Sequence, residues 1–272
     1  MSEIKQSNDG PTVRVNTKET GMGILDERVA VVTGGAQGIG ASYASALAAE
    51  GATVVVADIQ LDPANIVADA INSTGGRAIA ISVDVSDKSS TLELAAKVAE
   101  KFGRADVLVN NAAIYHSMRR DSQMTVDIEY WRKVFSVNVD GPLLMTQAIA
   151  PSMIERNWGR IINQTSTGAY KTGTGHYTTT KTALLALSRN FARELGPHGI
   201  TVNCIAPGPI WTDATKLVFP EEQVEAVLAQ QCIPRRATPD DLTGTLLYLR
   251  GEGASWVTGQ TLLVDGGATM RL

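Results

Sequence analysis

Val29-Ala-Val-Val-Thr-Gly-Gly-Ala-Gln-Gly-Ile-Gly40 runs from a β-branched stretch through a glycine-rich turn into an alanine-rich segment. The order is strand, tight turn, helix. Glycines in such a turn let the main chain approach a pyrophosphate closely and leave the amides of the following helix open to an anion. The spacing Gly34-x-x-x-Gly38-x-Gly40 is not G-x-G-x-x-G, and no Gly-Lys-Ser/Thr closes it as in a P-loop. Alone, the turn could be no more than a tight connection. Its position at the first junction of a longer alternating pattern favours a dinucleotide.

That pattern fills the rest of the chain. Short runs rich in β-branched residues lie at 29–33, 53–57, 78–83, 107–109, 160–163, 201–205 and 261–264. They are nearly continuous in apolar character, as strands buried on both faces are. Helical stretches separate them at 38–50, 63–73, 88–102, 131–155 and 177–195; in the last, Leu184, Leu187, Phe191 and Leu195 form one apolar seam. Alternation of this kind implies an α/β fold: a single-domain, Rossmann-like, doubly wound parallel sheet of about seven strands with helices on both faces. Residues 1–25 are polar and broken by glycines, so they read as a flexible extension before one domain spanning 26–272. The irregular stretch 209–234 reads as a substrate lid.

Composition narrows the function. Of 272 residues, 44% are hydrophobic and 19% charged, and the net charge is −4. An acidic balance gives no support to nucleic-acid binding. Cys204 and Cys232 lack metal spacing and suggest no disulfide framework, and His116, His176 and His198 are scattered. No metal is expected. No apolar run reaches membrane-spanning length and no signal-peptide pattern opens the chain, so no membrane association is expected and the cytoplasm is the simplest location.

Several strand ends carry residues suited to a dinucleotide. Gly34, Gln37, Gly38, Ile39 and Gly40 would meet its phosphates. Asp58 ends the second strand, where a carboxylate can accept both hydroxyls of the adenosine ribose and repel a 2′-phosphate. Two like charges about 4 Å apart cost roughly 4 kcal/mol at an effective dielectric near 20. Neither Gln37 nor Ile59, next to the acid, offers a cation to that phosphate. The expected cofactor is NAD(H). Asp84-Val85 could hold the adenine edge, and Asn110-Asn111-Ala112-Ala113 fits a chain lying against the cofactor; ordinary turn chemistry would explain either equally. Tyr177 and Lys181 are four residues apart, on one helix face, where the ammonium should draw the phenol's pKa down toward neutrality. A tyrosine so tuned can give or take a proton.

Together these residues resemble the short-chain dehydrogenase/reductase family. The resemblance rests on Thr33–Gly40, Asp84, Asn110–Ala113, Asn138 in Val-Asn-Val-Asp-Gly, Ser166, Tyr177-x-x-x-Lys181 and Asn203-Cys-Ile-Ala-Pro-Gly208, and runs from about Val29 to Gly267. It implies a single Rossmann domain, often tetrameric, that moves hydride between nicotinamide and an alcohol or carbonyl. Tyr177 would be the general acid/base, Lys181 would bind the nicotinamide ribose, Ser166 would hold the substrate oxygen, and Asn138 would kink its helix and hold a water. The turn at Pro207-Gly208 would lie against the nicotinamide, with Ile210 and Thr212 reaching its carboxamide. In one respect the chain departs from the family: Ser166 stands closer to the tyrosine than usual, so Thr165 or Thr167 remain alternatives for that hydroxyl, with Ser166 preferred.

The substrate pocket should draw on Tyr115, Ser166, Tyr170, Trp211 and Phe219, which make it apolar and aromatic. A hydrophobic secondary alcohol or ketone is expected, with a 3-oxoacyl-thioester reductase as the alternative and a non-catalytic dinucleotide sensor as the alternative of another class. Small residues such as Ala183, Ala186 and Ala192, with the resemblance, suggest a homotetramer or homodimer.

Overall fold

The computed structural model describes residues 28–115, 118–119, 121–171, 175–213, 215 and 221–270. Its strands are β1 (Val29–Thr33), β2 (Thr53–Asp58), β3 (Arg77–Ser82), β4 (Val107–Asn110), β5 (Gly159–Gln164), β6 (Ile200–Pro207) and β7 (Thr261–Val264). They form one parallel sheet in the order β3-β2-β1-β4-β5-β6-β7. The order reverses between β1 and β4, where a crevice opens beyond the strands' carboxyl ends. The expected extension, residues 1–25, lies outside the described residues.

Helices α1 (Gly38–Ala49), α2 (Leu61–Ser73) and α3 (Lys88–Phe102) follow the first three strands. Burial on both faces explains the strands' continuous apolar character. Ala30 and Val32 of β1 pack into one core with Tyr43 and Leu47, while Val29 and Val31 face the other with Met145 and Ile161. Alternate side chains point to opposite faces, so the sheet has no solvated side to mark with polar residues.

The expected helix at 131–155 needs correction. It starts earlier, as α4 (Ile128–Phe135), where the Asp127 carboxylate accepts from the Tyr130 N–H at 2.9 Å. It then widens into a π turn over Ser136–Asp140 before α5 (Gly141–Glu155). Helix α6 is Gly175–Leu195. Two further helices were missed. Helix α7 (Glu221–Leu228), within the expected lid, buries only Val224 and so shows no apolar stripe. Helix α8 (Asp240–Arg250) does show one, Leu242, Leu246 and Leu249 at helical spacing, and was legible.

At the opposite end of the sheet, Asp106 is fully buried. It accepts from the Val29 N–H at 2.9 Å and from Arg104 at 2.7 and 2.6 Å, and Arg28 adds a bond at 3.3 Å. Removing the carboxylate would leave the buried Val29 N–H without its acceptor and break the bonds to the partly exposed Arg28 and Arg104. Asp106→Ala is expected to cost about 3 kcal/mol, read from the urea midpoint at unchanged slope.

Candidate active site

The glycine turn is built tightly onto its neighbours. A Cβ on Gly40 would lie 2.0 Å from the Gly34 carbonyl oxygen, and one on Gly34, at φ +62°, would lie 2.8 Å from the Ala112 Cα. Three side chains brace it. The Thr33 hydroxyl accepts from the N–H groups of Asn111 and Ala112 at 3.1 and 3.2 Å. The Asn111 amide donates to the carbonyls of Thr33 and Gly34 at 3.1 and 3.0 Å. The Asp58 carboxylate accepts from the Ala36 N–H at 3.1 Å and the Gln60 N–H at 3.0 Å. Gln37 caps α1 by position without a side-chain bond, and no acid occupies the helix's first turn. The first amides of α1 therefore face outward with the positive end of the helix dipole, a fit for an anionic phosphate.

A crevice of about 1340 Å³ runs from this turn to α6. That exceeds the roughly 300–1,000 Å³ of sites for drug-sized ligands, leaving room for an extended dinucleotide and a second molecule. Gly34, Gln37, Gly38, Ile39, Asp58, Ile59, Asp84, Val85, Asn111, Ala112, Ala113, Pro207, Gly208, Ile210 and Thr212 all line it. Gly40 does not; it lies behind, against Gly34. Asn111 spends its amide on the turn. Asp84 accepts from the N–H and hydroxyl of Ser86 at 2.9 and 2.6 Å, the turn chemistry left open above. Thr212 approaches the turn from the far side: a Cβ on Gly38 would sit 3.5 Å from its Cγ2.

Of the expected catalytic residues, Ser166, Tyr177 and Lys181 line the same crevice, and Asn138 is buried beside it. Asn138 sits in the π turn. Its side-chain oxygen accepts from the Ile114 N–H at 2.8 Å, and its amide donates to the Ile114 carbonyl and the Thr180 hydroxyl, both at 3.3 Å. The wider turn thus ties the helix to the end of β4 and to α6. The Thr165 hydroxyl is bonded to the Ile205 carbonyl within the sheet at 3.1 Å, whereas Ser166 is bonded to Tyr177; Thr167, the other alternative, lines the same crevice.

The expected lowering of the Tyr177 pKa needs correction. Burial, then the neighbouring Tyr115, push it up, and the Ser166 hydrogen bond only partly opposes them. The two rings are 5.3 Å apart. The Lys181 ammonium, 5.7 Å from the Tyr177 ring centre, donates instead to the Gln164 carbonyl at 2.8 Å. Burial draws Lys181 itself down to about 8. Helical spacing brings the two groups together without aiming the ammonium at the phenol oxygen.

On the substrate side Tyr115 and Trp211 line the crevice, with Ile114 and Val227. Tyr170, the last residue of the 3₁₀ turn at Thr167–Tyr170, does not line it, although Thr167 and Gly168 of that turn do; Phe219 lies outside the described residues. Two neighbours were missed. His176 is buried, its ring edge-on to Tyr130 at 5.4 Å and both nitrogens without a hydrogen-bond partner; burial lowers its pKa. Gln164 gave no signal: its main-chain carbonyl meets Lys181 and its side-chain oxygen meets Tyr43, far away in sequence. Among the described residues no group of side chains could hold a metal ion, and no helix is long and apolar enough to cross a membrane.

Comparisons with known proteins agree with this geometry. The family described as enoyl-(acyl carrier protein) reductase matches residues 34–269. An uncharacterised oxidoreductase of Mycobacterium tuberculosis is 47% identical over 248 residues, 91% of this chain and 100% of that one. The 7alpha-hydroxysteroid dehydrogenase of Escherichia coli is 37% identical, over 91% and 96% of the two chains. A crystal structure from Beutenbergia cavernae with bound NADP at low occupancy matches with a TM-score of 0.84 and 34% identity, covering 90% of this chain and 97% of that one. The chain belongs to the short-chain dehydrogenase/reductase family of oxidoreductases. The family's fold binds a nicotinamide dinucleotide.

Proposed function

We propose that the protein interconverts a hydrophobic secondary alcohol and its ketone with NAD(H). The observation that carries this reading is one crevice holding both the braced glycine turn with Asp58 and the Ser166, Tyr177 and Lys181 side chains. The bound dinucleotide would supply or take up hydride at its nicotinamide ring. Gly34, Gln37, Gly38 and Ile39 would hold its phosphates, Asp58 its adenosine ribose, and Val85 and Ala113 its flanks. Pro207, Gly208, Ile210 and Thr212 would bound the nicotinamide end, and Lys181 would hold the adjoining ribose.

Tyr177 acts on the proton. Its raised pKa keeps the phenol protonated at neutral pH, so in reduction it donates to the oxygen that gains charge. Ser166 steadies that oxygen by a hydrogen bond. Oxidation runs the same groups in reverse and requires the phenolate, which the Ser166 hydrogen bond favours. Asn138 fixes the wall at Ile114. Tyr115, Ile114 and Trp211 give the substrate end an apolar, aromatic lining that suits a compact or cyclic carbon skeleton, and the hydroxysteroid dehydrogenase among the relatives supports that choice. The second reading, reduction of a 3-oxoacyl thioester, is supported by a 3-oxoacyl-[acyl-carrier-protein] reductase of Synechocystis that is 37% identical over 92% of this chain. A homotetramer or homodimer in the cytoplasm accords with either; a single monomeric species in sedimentation would contradict the assembly.

The decisive test is a panel of secondary alcohols, ketones and 3-oxoacyl thioesters with both dinucleotides, following absorbance of the reduced cofactor. Turnover of the alcohols with a preference for NAD+ is expected, and turnover confined to thioesters selects the second reading. In Asp58→Asn, which keeps one of the two acceptor oxygens that hold the Ala36 and Gln60 amides, the NAD+ over NADP+ preference in kcat/KM should fall by roughly tenfold or more. An unchanged ratio removes Asp58 as its source.

A further inference from the structure

Helix α1 and the catalytic lysine are joined by two hydrogen bonds through one residue. Gln164, the last residue of β5, accepts from the Lys181 ammonium at its carbonyl, 2.8 Å away. Its side-chain Oε1 accepts from the Tyr43 hydroxyl, also at 2.8 Å. Tyr43 lies in α1, whose amino end bears the glycine turn, and is wholly buried; Gln164 is 6% exposed and Lys181 2%. The next residue, Thr165, is fixed to the Ile205 carbonyl by its N–H at 2.8 Å and its hydroxyl at 3.1 Å. The end of β5 is thereby held on both sides just before Ser166.

Stability alone gives little reason for this pair. A buried hydrogen bond contributes only about 1 kcal/mol net, and apolar residues of the same shape would do nearly as well. What the bond adds is register: a phenol and an amide, each costly to leave unpaired, fix both rotamers and the distance between α1 and the end of β5. One of the three Lys181 N–H groups is committed to the strand, and the side chain lines the crevice.

We propose that Tyr43 and Gln164 are positioning residues that hold the Lys181 ammonium in register with the dinucleotide-binding helix. The inference rests on the function proposed above, but its test reads the lysine directly. In the full chain with 13C-labelled lysine, the Lys181 Cε signal, identified by its loss in Lys181→Met, is titrated with pH. In Tyr43→Phe the freed strand end loosens its carbonyl from the ammonium, and the midpoint should fall by about half a pH unit or more. Gln164→Met, which keeps the carbonyl and removes only the side-chain acceptor, should do the same. In the holoenzyme, kcat should fall about fivefold in both while KM for the alcohol changes less than twofold. An unchanged or raised Lys181 midpoint in the variants that fold overturns the proposal, even if their melting temperatures drop. Absence of turnover in the wild-type protein would instead sink the functional reading, leaving the titration still informative.

Discussion

Tyr177→Phe should lower turnover by about a thousandfold or more while reduced dinucleotide still binds within roughly threefold of wild type, because general acid–base catalysis of this kind contributes about 10²–10⁴-fold. The substitution removes one oxygen and little else. The ring keeps its packing against Tyr115 at 5.3 Å, so no cavity opens. What is lost is the protonated phenol bonded to Ser166; Lys181 is bonded to the Gln164 carbonyl and His176 is packed against Tyr130, so neither stands in for it. Fluorescence titration with the reduced dinucleotide and steady-state rates on the best substrate check the two halves separately. Turnover within tenfold of wild type would remove Tyr177 as the proton donor. Loss of binding would mean that the phenol serves the cofactor and not the substrate. A dinucleotide sensor, having no use for the proton, would show no function to lose.

Lys181→Met should do two opposite things, abolishing most activity and making the apoprotein more stable at neutral pH. Lys181 is 2% exposed, and burial brings its proton affinity down from the ordinary 10.5 to about 8. Below pH 8 the folded chain carries that buried charge, and its full cost is present. Between about 8 and 10.5 the folded chain has released the proton and the unfolded chain has not. The unfolded state then binds more protons, so wild-type stability rises with pH across this window, by at most about 3 kcal/mol. Methionine removes the charge but orphans the Gln164 carbonyl, an offset of about 1 kcal/mol. A gain near 2 kcal/mol at pH 7 that turns into a loss of about 1 kcal/mol by about pH 10.5 is expected from urea titrations at the two pH values. A variant less stable than wild type at pH 7 would mean that the lysine's contacts outweigh its desolvation. A buried cation kept at such a cost is what a functional site would retain against stability.

How much of this could be read from sequence differs by residue. The path from β1 through the turn into α1 was legible because burial on both faces leaves a short β-branched apolar run, and a glycine turn and an alanine-rich segment follow it at once. The shared face of Tyr177 and Lys181 followed from helical geometry. The proton affinity of Tyr177 did not, since it depends first on the side chain's burial in the fold and then on Tyr115, supplied by a segment some sixty residues away. Asp58 was singled out for a ribose, yet the structure also gives it the Ala36 and Gln60 amides to hold. Gln164 was illegible because a main-chain carbonyl leaves no trace in residue identity and its side-chain partner, Tyr43, lies far away in sequence. Helix α7 was missed for want of an apolar stripe, whereas α8 had one.

The bracing of the glycine turn by Thr33, Asn111 and Asp58 also has a practical side. Stiffness there resides in groups tucked beneath the loop, whereas Gln37 is exposed at its rim and Ile59 is 64% exposed. Libraries that aim to retune coenzyme choice can therefore randomise those two rim positions freely while the scaffold under them keeps its shape.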